Sequence, residues 1–231
     1  MIFRPIYLFF ITFFLTSCVT TEVSRNDLRI LAMGDSMMAA HRISGRAISD
    51  SVARHLGQPV RDRSIVGARM LYALPITGSM GLNISQQYRG EPWDWVIVNG
   101  GGNDLWLGCG CNKCDRKMDK LISKDGKHGE IPKLVARMRA AGAQVLWLGY
   151  LRSPGVGSPI EGCREEGAAL EARISAFAAQ TAGMHYMSLA DLVPYGDRSY
   201  HGIDMIHPSL KASAEIGARA AHFIQRHSNK G

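Results

Sequence analysis

The stretch Gly34-Asp35-Ser36-Met37 follows directly on an apolar run, which puts a hydroxyl at a turn between a strand and a helix. A serine hydroxyl becomes a nucleophile when a base takes its proton and donors hold the charge that develops on the attacked carbonyl. The chain offers candidates for both tasks. Val66-Gly67-Ala68-Arg69 and Gly101-Gly102-Asn103-Asp104 each follow an apolar run, and Asp204-Met205-Ile206-His207-Pro208 precedes a helical pattern. A backbone amide, a carboxamide, an imidazole and a carboxylate are the groups that acyl transfer through a serine employs. Each stretch alone is an ordinary turn or loop, so the weight lies in the ordered set.

Asp35 and Asp104 stand beside these residues in tight turns, where a carboxylate usually accepts backbone N–H groups, and both are read as structural. His41, His55, His128, His185, His222 and His227 have no motif around them and read as surface or helix residues. His201, three residues before Asp204, stays open. Four cysteines, Cys109, Cys111, Cys114 and Cys163, form a C-x-C-x-x-C cluster plus a distant partner. In an exported chain an even count reads as two disulfides of unspecified pairing, one of them tying Cys163 to the cluster. Four thiolates on zinc are the alternative, disfavoured in an oxidising compartment. The sequence calls for no cofactor and no metal.

The elements that must position these groups alternate in type. Strands are predicted at Leu28 to Met33, Val60 to Ile65, Trp93 to Asn99, Gln144 to Gly149 and Met184 to Leu189. Helices are predicted at Gly45 to Leu56, Ile84 to Tyr88, Ile131 to Ala141, Arg164 to Ala182 and Ser209 to Arg226. Leu134, Val135, Met138 and Ala141 show the helical spacing, with Lys133, Arg137 and Arg139 on other faces. This alternation predicts a three-layer α/β/α fold around a central parallel sheet of about five strands. Long loops are expected at Gly100 to Gly126 and Ser153 to Gly162, after the third and fourth strands, and ligands bind at such strand ends.

In this order the four stretches resemble the SGNH hydrolase superfamily, also called GDSL-like esterases and lipases, from Leu28 to about Arg226. The resemblance implies that Ser36 is the nucleophile and His207 the base, with Asp204 orienting the imidazole. It implies an oxyanion hole made by the Ser36 and Gly67 backbone N–H groups and the Asn103 amide. The fold it implies is flavodoxin-like, and the activity is hydrolysis of carboxylic esters through an acyl-enzyme. Met37 stands where many members have Leu, and no Asn precedes Gly67, so the subfamily is not fixed. A Gly-x-Ser-x-Gly elbow is missing, which disfavours an α/β-hydrolase. Trp106, Tyr150 and Arg152 are candidates for lining the pocket.

The substrate readings are O-acetyl groups of glycans or other short acyl esters, with a lipase or lysophospholipase activity, or a non-catalytic envelope binding module, as alternatives. Composition bounds the rest. The chain has 231 residues and a net charge of +7, from 27 Lys and Arg against 20 Asp and Glu. Its basic residues are scattered singly, which gives no stripe for a nucleic acid to read. Arg4, the apolar run Ile6 to Leu15 and the ending Leu15-Thr16-Ser17-Cys18 have the three zones of a signal peptide and a lipobox-like end. Residues 1–17 are therefore read as a leader, Cys18 as the lipidated residue, 18–27 as a tether and 28–231 as the hydrolase domain. That implies a lipoprotein of the bacterial envelope facing the periplasm, with an outer-membrane destination favoured because Val19 carries no Asp-type retention signal. Ten apolar residues are too few to span a bilayer, and no later segment is long and apolar enough, which excludes a polytopic membrane protein. No sequence signal bears on oligomeric state.

Overall fold

Every predicted strand joins one sheet in the computed structural model, which describes residues 29–155 and 157–228. The leader, Cys18 and the tether lie outside the described residues. The strands are β1 (Ile30–Met33), β2 (Val60–Asp62), β3 (Trp95–Val98), β4 (Gln144–Leu148) and β5 (Met184–Met187). They pair in parallel in the order β2-β1-β3-β4-β5. Ile30 stands opposite Val60 on one side and Trp95 on the other.

The helices are α1 (Ser36–Ala39), α2 (Ile48–Leu56), α3 (Pro75–Thr77), α4 (Ile84–Gln87), α5 (Gly102–Cys109), α6 (Asp115–Leu121), α7 (Glu130–Ala140), α8 (Arg164–Ala179) and α9 (Leu210–Ser228). Successive strand residues point to opposite faces. Ile30, Ala32, Trp95, Ile97, Leu146 and Leu148 therefore meet Ile48 and Val52 of α2 and Ile216, Ala220 and Ile224 of α9. Leu31, Met33, Val96, Val98, Val145 and Trp147 meet Leu121, Leu134, Met138, Leu170 and Ile174 on the other face. Both faces are covered, which is why β1 and β3 are uninterrupted apolar runs rather than alternating ones.

The three-layer α/β/α expectation holds. Two readings need correction. The stretch Gly100 to Gly126 is not one long loop: it contains α5 and α6. Its glycines and cysteines lower helix propensity, but Leu105, Met118 and Leu121 bury against the sheet and tertiary packing overrides the local preference. The strands are also shorter than predicted. β3, for example, ends at Val98, and Asn99 turns its side chain to another task described below.

The chain moves from β1 outward to β2 and then back across β1 to β3. The reversal point lies between the carboxyl ends of β1 and β3, the place where open α/β sheets form a crevice. Ser36 follows one of those strands and Asn103 the other.

Candidate active site

Ser36 is the first residue of α1, and its position is set by a buried polar clamp. The Gly34 N–H donates to Gln87 Oε1 at 2.7 Å, and the Gly34 carbonyl accepts from Gln87 Nε2 at 2.9 Å. Asn99 accepts the Asp35 N–H at 3.1 Å and donates to Asp35 Oδ1 at 3.0 Å. A Cβ on Gly34 would lie 1.9 Å from Asn99 Oδ1, and its φ of +146° is one that side chains rarely adopt, so only glycine fits there. Asp35 caps α1 by accepting the Met37 N–H at 3.0 Å. Burial raises the Asp35 pKa above the ordinary carboxylate value, against the lowering effect of donors from Tyr150, Asn99 and Met37.

The second group of donors is assembled on the other side of the crevice. The chain turns at Gly67, and no acceptor for the Gly67 N–H is found among the described residues. As the first residue of α1, Ser36 also has an N–H without an intrahelical acceptor. Asn103 sits in the first turn of α5, and its Nδ2 donates to the Ala68 carbonyl at 3.0 Å. That bond orients the carboxamide and uses one of its two N–H donors. Asp104 accepts the Met70 and Leu71 N–H groups, both at 2.8 Å, and so staples the Gly67 loop to α5. Asp104 is buried, which raises its pKa despite those two donors. Both aspartates thus do what a turn carboxylate does: they hold backbone.

His207 lies in the loop before α9. Its Nδ1 is 2.5 Å from Asp204 Oδ2, and Asp204 Oδ1 accepts the Ile206 and His207 N–H groups at 3.0 and 3.1 Å. An ionised carboxylate at Nδ1 assigns the proton to that nitrogen and leaves Nε2 as the basic one. Burial pushes the Asp204 pKa up, but the His207 ring and the two N–H groups outweigh it and hold the carboxyl below its ordinary value. Ser158 Oγ donates to the Met205 carbonyl at 2.8 Å, and the Gly202 N–H donates to the His207 carbonyl at 2.8 Å. His201 stays apart from this pair. It is buried, neither ring nitrogen has a partner among the described residues, and burial lowers its pKa.

Ser36, Asn103 and His207 line one cavity of about 420 Å³. No hydrogen bond joins Ser36 Oγ to His207; catalytic hydrogen bonds often tighten only when substrate binds. Met37, Trp106, Leu151, Ile160, Val193 and Ile206 make its walls largely apolar. Tyr150 and Arg152 line it as well, and Arg152 is held by Glu171 at 2.6 Å. The four cysteines are joined as Cys109–Cys114 and Cys111–Cys163, which uses up the sulfurs that the zinc alternative required. Cys163 is part of the cavity wall, so the second bond ties the loop after α5 to that wall.

Sequence reasoning missed Gln87, Asn99 and the bridging role of His41, whose Nε2 lies 2.9 Å from the Pro208 carbonyl. Asn99 carried a legible signal, a carboxamide ending an apolar strand. Gln87 and His41 carried none, since the site groups they bond, at Gly34 and Pro208, are backbone atoms more than 50 residues away.

A serine, the Asn103 carboxamide and a histidine paired with a carboxylate meet on one cavity at the switch point of a parallel sheet, the groups of an ester hydrolase of the serine type, whereas Gly67 is not among the residues that line that cavity. The chain belongs to the GDSL-like Lipase/Acylhydrolase family, which matches residues 32–214. A search of curated proteins finds no match. Among solved structures, TesA is similar at 21% identity, with a TM-score of 0.57 over 85% of this chain and 98% of that one. Est24, a carbohydrate acetylesterase from Sinorhizobium meliloti, is similar at 17% identity, with a TM-score of 0.54 over 85% and 98%. A carbohydrate esterase family 2 enzyme from Corynascus thermopiles is similar at 16% identity, with a TM-score of 0.57 over 86% and 66%. At these identities the likeness concerns the fold.

Proposed function

We propose that this chain hydrolyses carboxylic esters through a Ser36 acyl-enzyme. Ser36 Oγ attacks the ester carbonyl while its proton passes to His207 Nε2. The oxyanion is held by the Ser36 and Gly67 N–H groups and the free N–H of Asn103. The tetrahedral intermediate then expels the alcohol, which takes the proton back from His207. Water repeats the sequence on the acyl-enzyme and releases the acid. Asp204 keeps the imidazole in the tautomer with Nε2 free and stabilises its charged form. The observation that carries this reading is the placing of Ser36, Asn103 and His207 on one cavity, with His207 Nδ1 at 2.5 Å from Asp204.

The cavity also supports a substrate class. At about 420 Å³ it is in the range that accepts a drug-sized ligand, and its apolar walls match an acyl chain longer than acetyl. A second reading, removal of O-acetyl groups from glycans, draws on Trp106 and Tyr195 in the lining, which could stack a sugar ring, and on the carbohydrate acetylesterase and the carbohydrate esterase that share the fold. Each buried CH₂ adds about 0.8 kcal/mol, so kcat/KM should climb with acyl length until the cavity is full. The test is a series of p-nitrophenyl acetate, butyrate, octanoate and palmitate. Highest kcat/KM with acetate would reject the longer-chain reading in favour of deacetylation, and full turnover by folded Ser36→Ala would reject the mechanism.

The proposal extends to location. Leu15 to Cys18 supports acylation at Cys18 and attachment to the bacterial envelope, with the domain facing the periplasm from the outer membrane. Among the described residues no helix is long and apolar enough to cross a membrane.

A further inference from the structure

The residue with the least obvious reason for its chemistry is Tyr150, at the carboxyl end of β4. Its hydroxyl donates to Asp35 Oδ2 at 2.5 Å and accepts the Gly102 N–H at 2.9 Å. Each partner is one residue from a proposed catalytic group: Asp35 precedes Ser36 and Gly102 precedes Asn103. The contact is close enough that a Cβ on Gly102 would lie 2.7 Å from Tyr150 Cζ and 3.0 Å from its oxygen. Tyr150 is itself fixed from behind, because its N–H donates to Glu171 Oε1 at 2.8 Å and Glu171 is buried.

We propose that Tyr150 is a positioning residue whose hydroxyl sets the spacing between the nucleophile turn and the amide of the oxyanion hole. This inference rests on the reading of Ser36 as nucleophile and Asn103 as oxyanion donor. Asp35 fixes the turn through its bond to the Met37 N–H, and Gly102 opens the helix that carries Asn103. A hydroxyl is the group this place requires, since it must donate to a carboxylate and accept from an N–H at once. Phenylalanine would keep the ring and break both bonds. The turn and α5 would then be free to drift apart, and displacements of the order of 1 Å in reacting groups cost about a hundredfold in rate.

The test uses Tyr150→Phe, with Gly102→Ala as a second variant that forces the same separation from the other end. Tyr88→Phe is the control. It removes the hydroxyl of a buried tyrosine, which donates to the Glu91 carbonyl at 3.4 Å, and Tyr88 is outside the cavity lining. Exhaustive fluorophosphonate labelling counts folded active sites, so kcat is expressed per site even if part of a preparation fails to fold. Tyr150→Phe and Gly102→Ala should each lower kcat per site by about ten- to a hundredfold and slow labelling in parallel, with little change in KM for a small ester. Unchanged kcat in Tyr150→Phe, a loss confined to KM, or an equal loss in Tyr88→Phe would overturn the proposal. Ser36→Ala is assayed alongside. If it retains turnover, the mechanism fails; if it is inactive and Tyr150→Phe is not impaired, only the positioning role fails.

Discussion

The two disulfides close loops of very different length, and this gives a quantitative test of what each one does. Cys111–Cys163 spans 52 positions and Cys109–Cys114 spans 5. Cross-linking removes loop-closure entropy from the unfolded chain as the logarithm of that length, which gives about 4 kcal/mol for the long loop and about 2 kcal/mol for the short one. For a domain of this size 1 kcal/mol is worth about 2–4 °C in Tm. Removing the long bond should therefore lower Tm by about 8–16 °C and removing the short one by about half as much. The variants are the paired replacements Cys111→Ala with Cys163→Ala, and Cys109→Ala with Cys114→Ala. Alanine is preferable to serine because Cys114 is buried and a hydroxyl there would add a desolvation cost of its own. Calorimetric unfolding of the oxidised proteins, with thiol titration to verify the remaining bond, supplies the comparison. A Tm loss for the short pair that equals or exceeds that of the long pair would refute the loop-entropy reasoning. The long bond also fixes Cys163 in the cavity wall, so its loss should raise KM for a long-chain ester more than for an acetate ester.

Three further outcomes are expected. Asn103→Ala should lower kcat by about 10²–10³ with little change in KM, measured on a small ester, because its amide meets full negative charge only in the transition state. Glu91 makes a two-point contact with Arg63, whose hydrogen bonds hold its pKa at about 2, below the ordinary 4.5. A depressed folded-state pKa contributes stability above the unfolded value that is lost as pH falls from about 4.5 towards 2, so Tm of Glu91→Gln should fall less steeply than that of wild type across that window. Cys18→Ser behind a substitute cleavable leader should leave the membrane fraction and still hydrolyse small esters, whereas wild type should resist high-salt extraction, as multiply acylated proteins do.

The layered fold was legible because parallel strands buried on both faces are continuous apolar runs, and Val96, Ile97 and Val98 leave little room for another reading. The site motifs were legible for a different reason: Ser36 and Asn103 each follow a strand through a glycine turn, and His207 stands before a proline at the entry to α9. What the sequence hid was the helical state of Gly102 to Cys109 and of Asp115 to Leu121, which depends on contacts with distant residues. The pairing of the cysteines was hidden too, since C-x-C-x-x-C fits several connectivities until Cys111 is seen beside Cys163. The same applies to Gln87, whose carboxamide meets Gly34 across 53 positions.

These hidden contacts divide the site into two mechanical halves. Ser36 and Asn103 are held by buried groups: Gln87, Asn99, Asp35 and Asp104 have little or no exposure, and each bonds backbone or another member of the set. Buried polar groups that are fully bonded are costly to disturb, so this half keeps its geometry. The other half is open. Asp204 and His207 side chains are 47% and 35% exposed, and their loop is fastened mostly by its own backbone bonds, such as Gly202 to His207, with Ser158 to Met205 and His41 to Pro208 reaching it from other elements. Loops with few buried contacts lie at the low-stability end of a structure. On the proposed mechanism the Ser36 and Asn103 donors are therefore preorganised, while His207 approaches Ser36 from a more exposed support. The Ser36–His207 contact then tightens when substrate binds, and the exposed half is the one expected to adjust. Isotope exchange should show this directly: amides at Gly34, Asp35 and Asn99 should exchange slowly with or without an inhibitor on Ser36, and those at Ile206 and His207 should slow when it is bound. Equal protection of both halves in the free protein would remove the basis for the division.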